Sequence, residues 1–447
     1  MKKGLFGSVM TTVLAASMLA GCSSGAAASS TAAAASVDSK SASEYDNCTI
    51  RFDWWGGDTR HKATQAAVDA FMKKYPGINV EVNFGAWTDW ETARALEYQS
   101  GTGSDLTQIN YSWITDYDAD GSTFLDLNTE SNVIDLTQYD SALLKTCNDT
   151  KNQLAGVPVA VTGRTFYWNK TTFEKAGIKT PTTIDELIAA GNTFKEKLGD
   201  DYYPLTLGEY DRALFMSFYL QAQTGEPIID ESGKLTVTQD QLKDGMDFIQ
   251  KLEDNHVIPS LATLAGDGNV TTNENPKFID GHYAGVFEWD SAPAKYIKNL
   301  AEGQELVVGS ELKGLGDKAT GVSSKVSMLF AITKTSEHPH EAAMLLNYLI
   351  NDSEGVSILG SERGIPASKA AYETLNSAGK IDKTVAAAHK AVLDADPMSF
   401  SPIFDNAKLK GTSAAYITIF DAVSYGKQST DEGAKALYQA FMDVCKN

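Results

Sequence analysis

Cysteine, histidine and positive charge are all scarce in this chain of 447 residues. The four cysteines, Cys22, Cys48, Cys147 and Cys445, are too scattered to read as a disulfide framework. Of the six histidines, His61, His256, His282 and His389 stand alone. His338 and His340 flank a proline with no third ligand near in sequence, so no metal site is expected. Lys and Arg total 38 against 58 Asp and Glu, a formal net charge of −20. That balance argues against nucleic acid and flat anionic lipid as partners, and mildly against an anionic ligand. Past the N-terminus no long apolar run recurs, so no transmembrane helix is expected. No repeat of fixed period is present. There is no G-x-S-x-G elbow and no phosphate-binding glycine loop. Glu288 and Asp290 make a poor glycosidase pair, because residues two apart on a strand share one face and do not straddle a bond. Neither an enzyme nor a cofactor is expected. The loop Asp116-x-Asp118-x-Asp120-Gly121 begins like a calcium-binding hand, but its twelfth position is Leu127 where a bidentate Glu is needed. An ordinary acidic loop is expected there.

What is present begins with a leader. "MKKG" and a short apolar run end in Leu19-Ala20-Gly21-Cys22. Small residues before a cleavage point mark a signal peptide over 1–21. The ending resembles the lipobox of bacterial lipoproteins, which implies that Cys22 is lipidated and anchors the chain to the cell membrane, outside the cytoplasm. Three cysteines then remain, enough for one bridge or for small buried thiols. Residues 22–46 are Ser/Ala-rich and hold too little apolar surface to order themselves, so they read as a tether reaching about 25–30 Å. The remainder is longer than one hydrophobic core usually holds, and two lobes are expected.

In the body, Cys48, Ile50, Phe52 and Trp54 alternate with Thr49, Arg51 and Asp53, which predicts a strand. Ala63, Ala66, Ala67, Ala70 and Phe71 follow at helical spacing, with Asp58 at the N-cap position. "INVEVNF" alternates again, so strand, helix and strand make a parallel βαβ unit. Further strands are predicted in "SDLTQINY", "TFYWN", "GVFEW" and "VSMLFAIT". Helices are predicted in "TDWETARALEYQ", after Thr183, after Pro339 and through most of the chain beyond 366. The class is α/β with a helical C-terminal region.

The phrases "PGINVEV", "GVPVAVTGRTFYWNKTTFEKAGIKTPTTIDELI", "GVFEWDS", "LFAITKTSEHPHEAAMLLNYLINDSEGVSIL" and "ERGIPAS" occur in an order that resembles the extracellular solute-binding proteins of carbohydrate ABC transporters. The resemblance covers most of the mature chain. It implies a two-lobed periplasmic-binding-protein-like fold of type II, with three crossovers near 160–164, 326–332 and 360–366. One lobe would span 47–161 plus 329–362, the other 162–328 plus 363–447. It further implies a monomer that captures an oligosaccharide in the interlobe cleft and delivers it to ABC permease subunits. Another small polar solute, such as a polyol or glycerol phosphate, is the alternative; a secreted glycosidase or an adhesion lipoprotein is a lesser one.

A sugar offers an apolar face for stacking and a rim of hydroxyls for planar partners, so its site should mix Trp and Tyr with Asp, Glu, Asn and Arg. In open parallel sheets ligands sit at the carboxyl ends of strands. Trp54 continues the core face of the first strand, so Trp55 is the ligand candidate there. Asp58 and Arg60 follow, either as a cap and a solvated cation or as a pair facing the cleft. Of Trp87 and Trp90, one is expected to pack the helix. Tyr111 and Trp113 end another strand. Arg164 and Arg363 stand at expected crossovers, as ligand or hinge partners. Tyr210 and Arg212 begin a helix. Trp289 ends the "GVFEW" strand and is the strongest candidate; Glu288 and Asp290 flank it, the latter also a possible helix cap.

Overall fold

A computed structural model describes residues 44–87, 90–268 and 270–446. The expected leader, Cys22 and most of the tether lie outside the described residues. Strand β1, Cys48–Trp55, is followed by α1, Asp58–Lys74, and by β2, Ile78–Gly85. β1 and β2 pair in parallel from Cys48↔Ile78 to Trp55↔Gly85, as the alternation predicts. α1 buries Thr64, Ala67, Val68 and Phe71 on one stripe. Its N-cap is Gly57, not Asp58. Asp58 is the first helical residue, where its charge still suits the positive end of the helix dipole. α2, Trp90–Ser100, leads to β3, Leu106–Asn110, parallel to β1 on its other edge, and then to α3, Trp113–Tyr117.

The long strand β4, Val157–Asn169, changes partner along its length. Residues 157–163 pair with β7, Ser323–Ile332; residues 164–169 pair with β5, Gly285–Trp289, and β6, Leu306–Val308. β7 in turn runs antiparallel to β3. The sheet order is β2-β1-β3-β7-β4-β5, with β6 also on β4 and the two-residue β8, Met398–Ser399, on β7. The register between β4 and β7 slips at Pro158–Val161.

Two large cores flank this junction. The first gathers Ile50, Phe52, Trp54, Leu106, Leu329, Phe330 and the helix Pro339–Ile350. The second gathers Phe166, Trp168, Phe215, Phe287, Phe404, Tyr416 and Phe441. The molecule is therefore two-lobed, and β4 and β7 belong to both lobes. The first core takes in β7 from Val326, the first residue of the expected crossover 326–332. Helix Ile184–Leu198 starts after Thr183 as expected, and a capping box of Thr183 with Glu186 fixes that start. Helices Lys369–Ser377, Lys383–Asp394, Ala415–Ser424 and Thr430–Met442 make the C-terminal region helical.

Both faces of β1 are buried at its carboxyl end. Asp53, on the face the alternation marks as polar, has no exposure. It accepts from Arg94 Nη1 at 2.7 Å and Thr107 Oγ1 at 2.5 Å. A parallel strand covered on both sides needs such a partner wherever it carries a charge.

Candidate functional site

Side-chain alternation fixes which residues share a face of the sheet. Trp55 lies on the face of Asp53, and Asp53 pairs with Thr107. Through Thr107↔Ala331 and Ile109↔Leu329 that face continues onto β7. Alternation along β7 carries it to Lys325, which pairs with Thr162, and along β4 to Arg164, which pairs with Trp289. Trp55 and Trp289 therefore look out from one face, one in each lobe.

In the first lobe three tryptophans meet where β1, β2 and β3 end. Ring centroids lie 5.0 Å apart for Trp55–Trp87, 5.6 Å for Trp55–Trp113 and 6.1 Å for Trp87–Trp113. Trp55 and Trp113 are buried, whereas Trp87 is 44% exposed. Trp87 is the presented ring and the other two are its backing. Trp90 is the helix-packing member of its pair, with the Arg94 guanidinium 4.5 Å from its ring centroid. Glu91 takes both Trp113 Nε1, at 3.1 Å, and the Tyr117 hydroxyl, at 3.3 Å. The negative charge thus sits beside the backing rings.

In the second lobe Trp289 is half-buried with cations on its ring. Arg164 Cζ lies 4.8 Å and Lys325 Nζ 4.6 Å from the ring centroid. Arg164 donates to Asp211 at 2.5 Å and stands 3.5 Å from Glu288. Glu288 also takes Lys295 at 3.0 Å and the Tyr296 hydroxyl at 2.9 Å. The Tyr210 hydroxyl donates to Asp405 at 2.6 Å, and Lys410 Nζ lies 4.1 Å from the Tyr210 ring centroid. Lys325 and Lys410 both pair with Asp405. Burial alone would raise the Asp405 carboxyl; the two ammoniums overcome it and hold it well below the usual carboxylate range. Burial lowers the Lys325 ammonium, with Asp405 opposing. Asp211 is raised by burial against the pull of Arg164. The arrangement is two aromatic faces wired into alternating charges, with planar forks placed for hydroxyl or carboxylate recognition.

Several expected residues do other work. Arg60 does not pair with Asp58. Its Nη1 donates to the Trp55 carbonyl at 3.1 Å, and its Nε and Nη2 donate to the Glu362 carbonyl at 3.1 and 3.0 Å. Arg363 donates to Gln108 Oε1 at 2.7 Å and Thr64 Oγ1 at 2.9 Å, and Gln108 donates to the Trp55 carbonyl at 3.2 Å. The two arginines bind the turn after β1 to the 360–364 segment. Burial, then Arg60, lowers the Arg363 guanidinium. Arg212 is turned into the second core, donating to Glu253 at 2.6 Å and the Pro259 carbonyl at 2.8 Å. Residues two apart on a helix diverge by about 200°, so Tyr210 and Arg212 face opposite ways. Asp290 is no helix cap; Ala292 holds that position for Pro293–Ile297. It is fully buried between Thr162 Oγ1 and His389 Nδ1, each at 2.6 Å.

Two adjoining cavities also touch both lobes. One of about 810 Å³ is lined by Val161 and Val326, on the opposite face of β4 and β7, and also by Lys325, with Ser368, Tyr372 and Leu393. On that face a Cβ at Gly163 would fall 2.4 Å from Val392. The other, of about 620 Å³, shares Tyr111, Thr146, Glu231 and Ser399 with it and adds Lys145, Asn148, Asp149 and Asp230. Tyr111 is the one expected residue on either wall. Its ring is buried and its hydroxyl donates to the Thr146 carbonyl at 3.1 Å. No tryptophan lines either cavity, but Lys325 joins the larger one to the Trp289 side.

Sequence reasoning missed Asp211, Lys295, Tyr296, Lys325, Asp405 and Lys410. Lys325 had a signal, as a charge in the largely apolar strand "KVSMLFAI"; Asp405 and Lys410 had none. The acidic loop closes on itself. Asp118 Oδ1 accepts the Thr123 and Phe124 N–H groups at 2.7 and 3.1 Å, and Lys334 reaches the Gly121 carbonyl. Burial pushes the Asp118 carboxyl up to about 6, with Asp149 adding to the shift. Cys147 and Cys445 carry free thiols.

Residues 57–355 match the model of the bacterial extracellular solute-binding protein family. A periplasmic oligogalacturonide binding protein from Yersinia enterocolitica is 33% identical, with TM-score 0.80, covering 89% of this chain and 99% of its own. A periplasmic solute binding protein from Pectobacterium atrosepticum is 34% identical, with TM-score 0.81, covering 89% and 98%. A de novo designed cysteine esterase, an artificial protein, has the same fold at 32% identity and TM-score 0.83, covering 90% and 99%. A Brucella abortus protein described only as a binding protein is 28% identical over 171 residues; the match spans 40% of its length.

Proposed function

The chain belongs to the bacterial extracellular solute-binding proteins, and we propose from that premise that it binds an oligosaccharide between Trp87 and Trp289. The observation that carries the reading is the shared sheet face, with an exposed ring in one lobe and a charge-flanked ring in the other. One lobe supplies stacking; the other supplies stacking and forks for hydroxyls. Ligand touching both favours a closed arrangement over an open one, because only the closed form makes both sets of contacts. Lobes of 47–161 plus 329–362 and 162–328 plus 363–447 rotate about the three crossovers in this reading. The closed form then docks on a permease, with Cys22 as the membrane anchor.

A second reading concerns charge. The net −20 disfavours an anionic ligand, but Arg164, Lys325 and Lys410 gather around Trp289 and Tyr210. That local cluster, and the likeness to an oligogalacturonide binder, favour an oligosaccharide carrying uronate carboxylates. Calorimetry with matched neutral and uronate oligosaccharides tests both readings. Saturable heat with either supports the site, and preference for the uronate series supports the second reading. Heat with peptides but with no sugar would overturn it, and sugar products on chromatography would turn the reading toward an enzyme.

A further inference from the structure

At the opposite end of β1 from Trp55, side chains from distant parts of the sequence converge. Cys48 opens β1, His338 is the N-cap of the helix Pro339–Ile350, and Glu341 lies in that helix's first turn. One ligand atom from each lies within 4.8 Å of the others. Among the described residues this is the one such group of three. We propose that these residues form a zinc site, independent of the sugar reading, that fastens the start of β1 to the helix Pro339–Ile350.

The chemistry fits a borderline-soft divalent ion. Thiolate, imidazole and carboxylate are the zinc donors, at bonds of about 2.0–2.3 Å, which place tetrahedral ligands roughly 3.3–3.8 Å apart. The three atoms need only a further ångström or so of side-chain rotation. Thiolate and carboxylate together cancel the ion's two charges, with imidazole neutral, so the filled site is uncharged. That matters because Glu341 is buried. Glu341 already has its orientation fixed, since Oε1 accepts the Asp46 N–H at 2.8 Å. Cys48 and His338 are half-buried, so the ion has a path in, and the fourth position is left to water. Binding sends the Cys48 thiol proton to solvent; no electrons move. The spacing hid the trio, because His338 and Cys48 are joined only by the fold. The site stands about 23 Å from Trp55 along the strand.

Cobalt(II) titration of the purified full chain tests the proposal. One equivalent should produce a thiolate-to-cobalt charge-transfer band with tetrahedral d–d bands, and zinc should bleach both and raise Tm. Cys48→Ser should abolish the charge-transfer band. His338→Ala, at a half-exposed position, should weaken cobalt binding more than roughly tenfold, with circular dichroism confirming the fold. A wild-type chain with no charge-transfer band would overturn the proposal, as would a band that persists in Cys48→Ser.

Discussion

In the first lobe the presented tryptophan rests on other aromatics; in the second it rests among charges. Trp87 is backed by Trp55 and Trp113, rings whose own burial holds the platform in place. Trp289 is held by Arg164 and Lys325, which are themselves paired with Asp211 and Asp405. An aromatic platform gives area and rigidity. A platform wired with ion pairs adds discrimination, because each fork left without a partner in a low-dielectric site is costly. On the proposed reading the same residue type serves capture on one side and selection on the other.

Breaking the backing of the first platform should have the largest effect, on stability. Trp113→Ala removes a fully buried ring and should cost about 3–5 kcal/mol in urea denaturation. Removing the presented ring of the second platform should act on affinity: Trp289→Ala should weaken sugar binding by about 2 kcal/mol, roughly thirtyfold, in calorimetry, with the fold retained. If affinity is untouched, the site map is wrong. Trp87→Ala should cost less, about tenfold, since its backing rings stay in place. Lys325→Met sharpens the contrast in kind. It should weaken uronate oligosaccharides about tenfold and spare neutral ones, with Asp405 still paired to Lys410. Equal losses for both would remove the selective role of the second platform.

The last effect is a pH-dependent one in the first lobe. Asp118 is raised to about 6, chiefly by burial, so the fold holds a proton that the unfolded chain releases near pH 4. Wild-type stability should therefore gain as pH falls from 7 toward 4. Asp118→Asn keeps an oxygen for the Thr123 and Phe124 N–H groups and lacks the buried charge. It should be more stable than wild type by up to about 3 kcal/mol at pH 7.5 and show no advantage at pH 4 in denaturant titrations.

Elements that rest on local pattern were legible in the sequence. The β1–α1–β2 unit follows from alternation and helical spacing, and the helix start at Thr183 from the Pro-Thr-Thr that precedes it. The ends of strands were legible too, which is why Trp55, Trp113 and Trp289 all fall where strands stop. Which of those rings is wet was not legible, because it depends on what packs behind them. Trp55 reads as the outward residue by alternation, yet Trp87 covers it. Arg212 and Asp290 went astray for a similar reason: a charge near an aromatic reads as a site, and both are buried partners of Glu253 and His389. The Lys325–Asp405 pair joins β7 to a distant turn, a contact that no local spacing encodes.

The strands shared by the two lobes also set an order of assembly. β3 must wait for β7, and Leu106 finds Ile332 only after the whole of 166–322 has been made. At about 5–20 residues per second of synthesis, that delay is on the order of ten seconds or more. Through that interval Ile50, Phe52 and Leu106 lack the strand that finally covers them. The second lobe waits longer still, because its core takes Phe404, Tyr416 and Phe441 from the end of the chain, so the lobe translated first is also the first whose strands are all made.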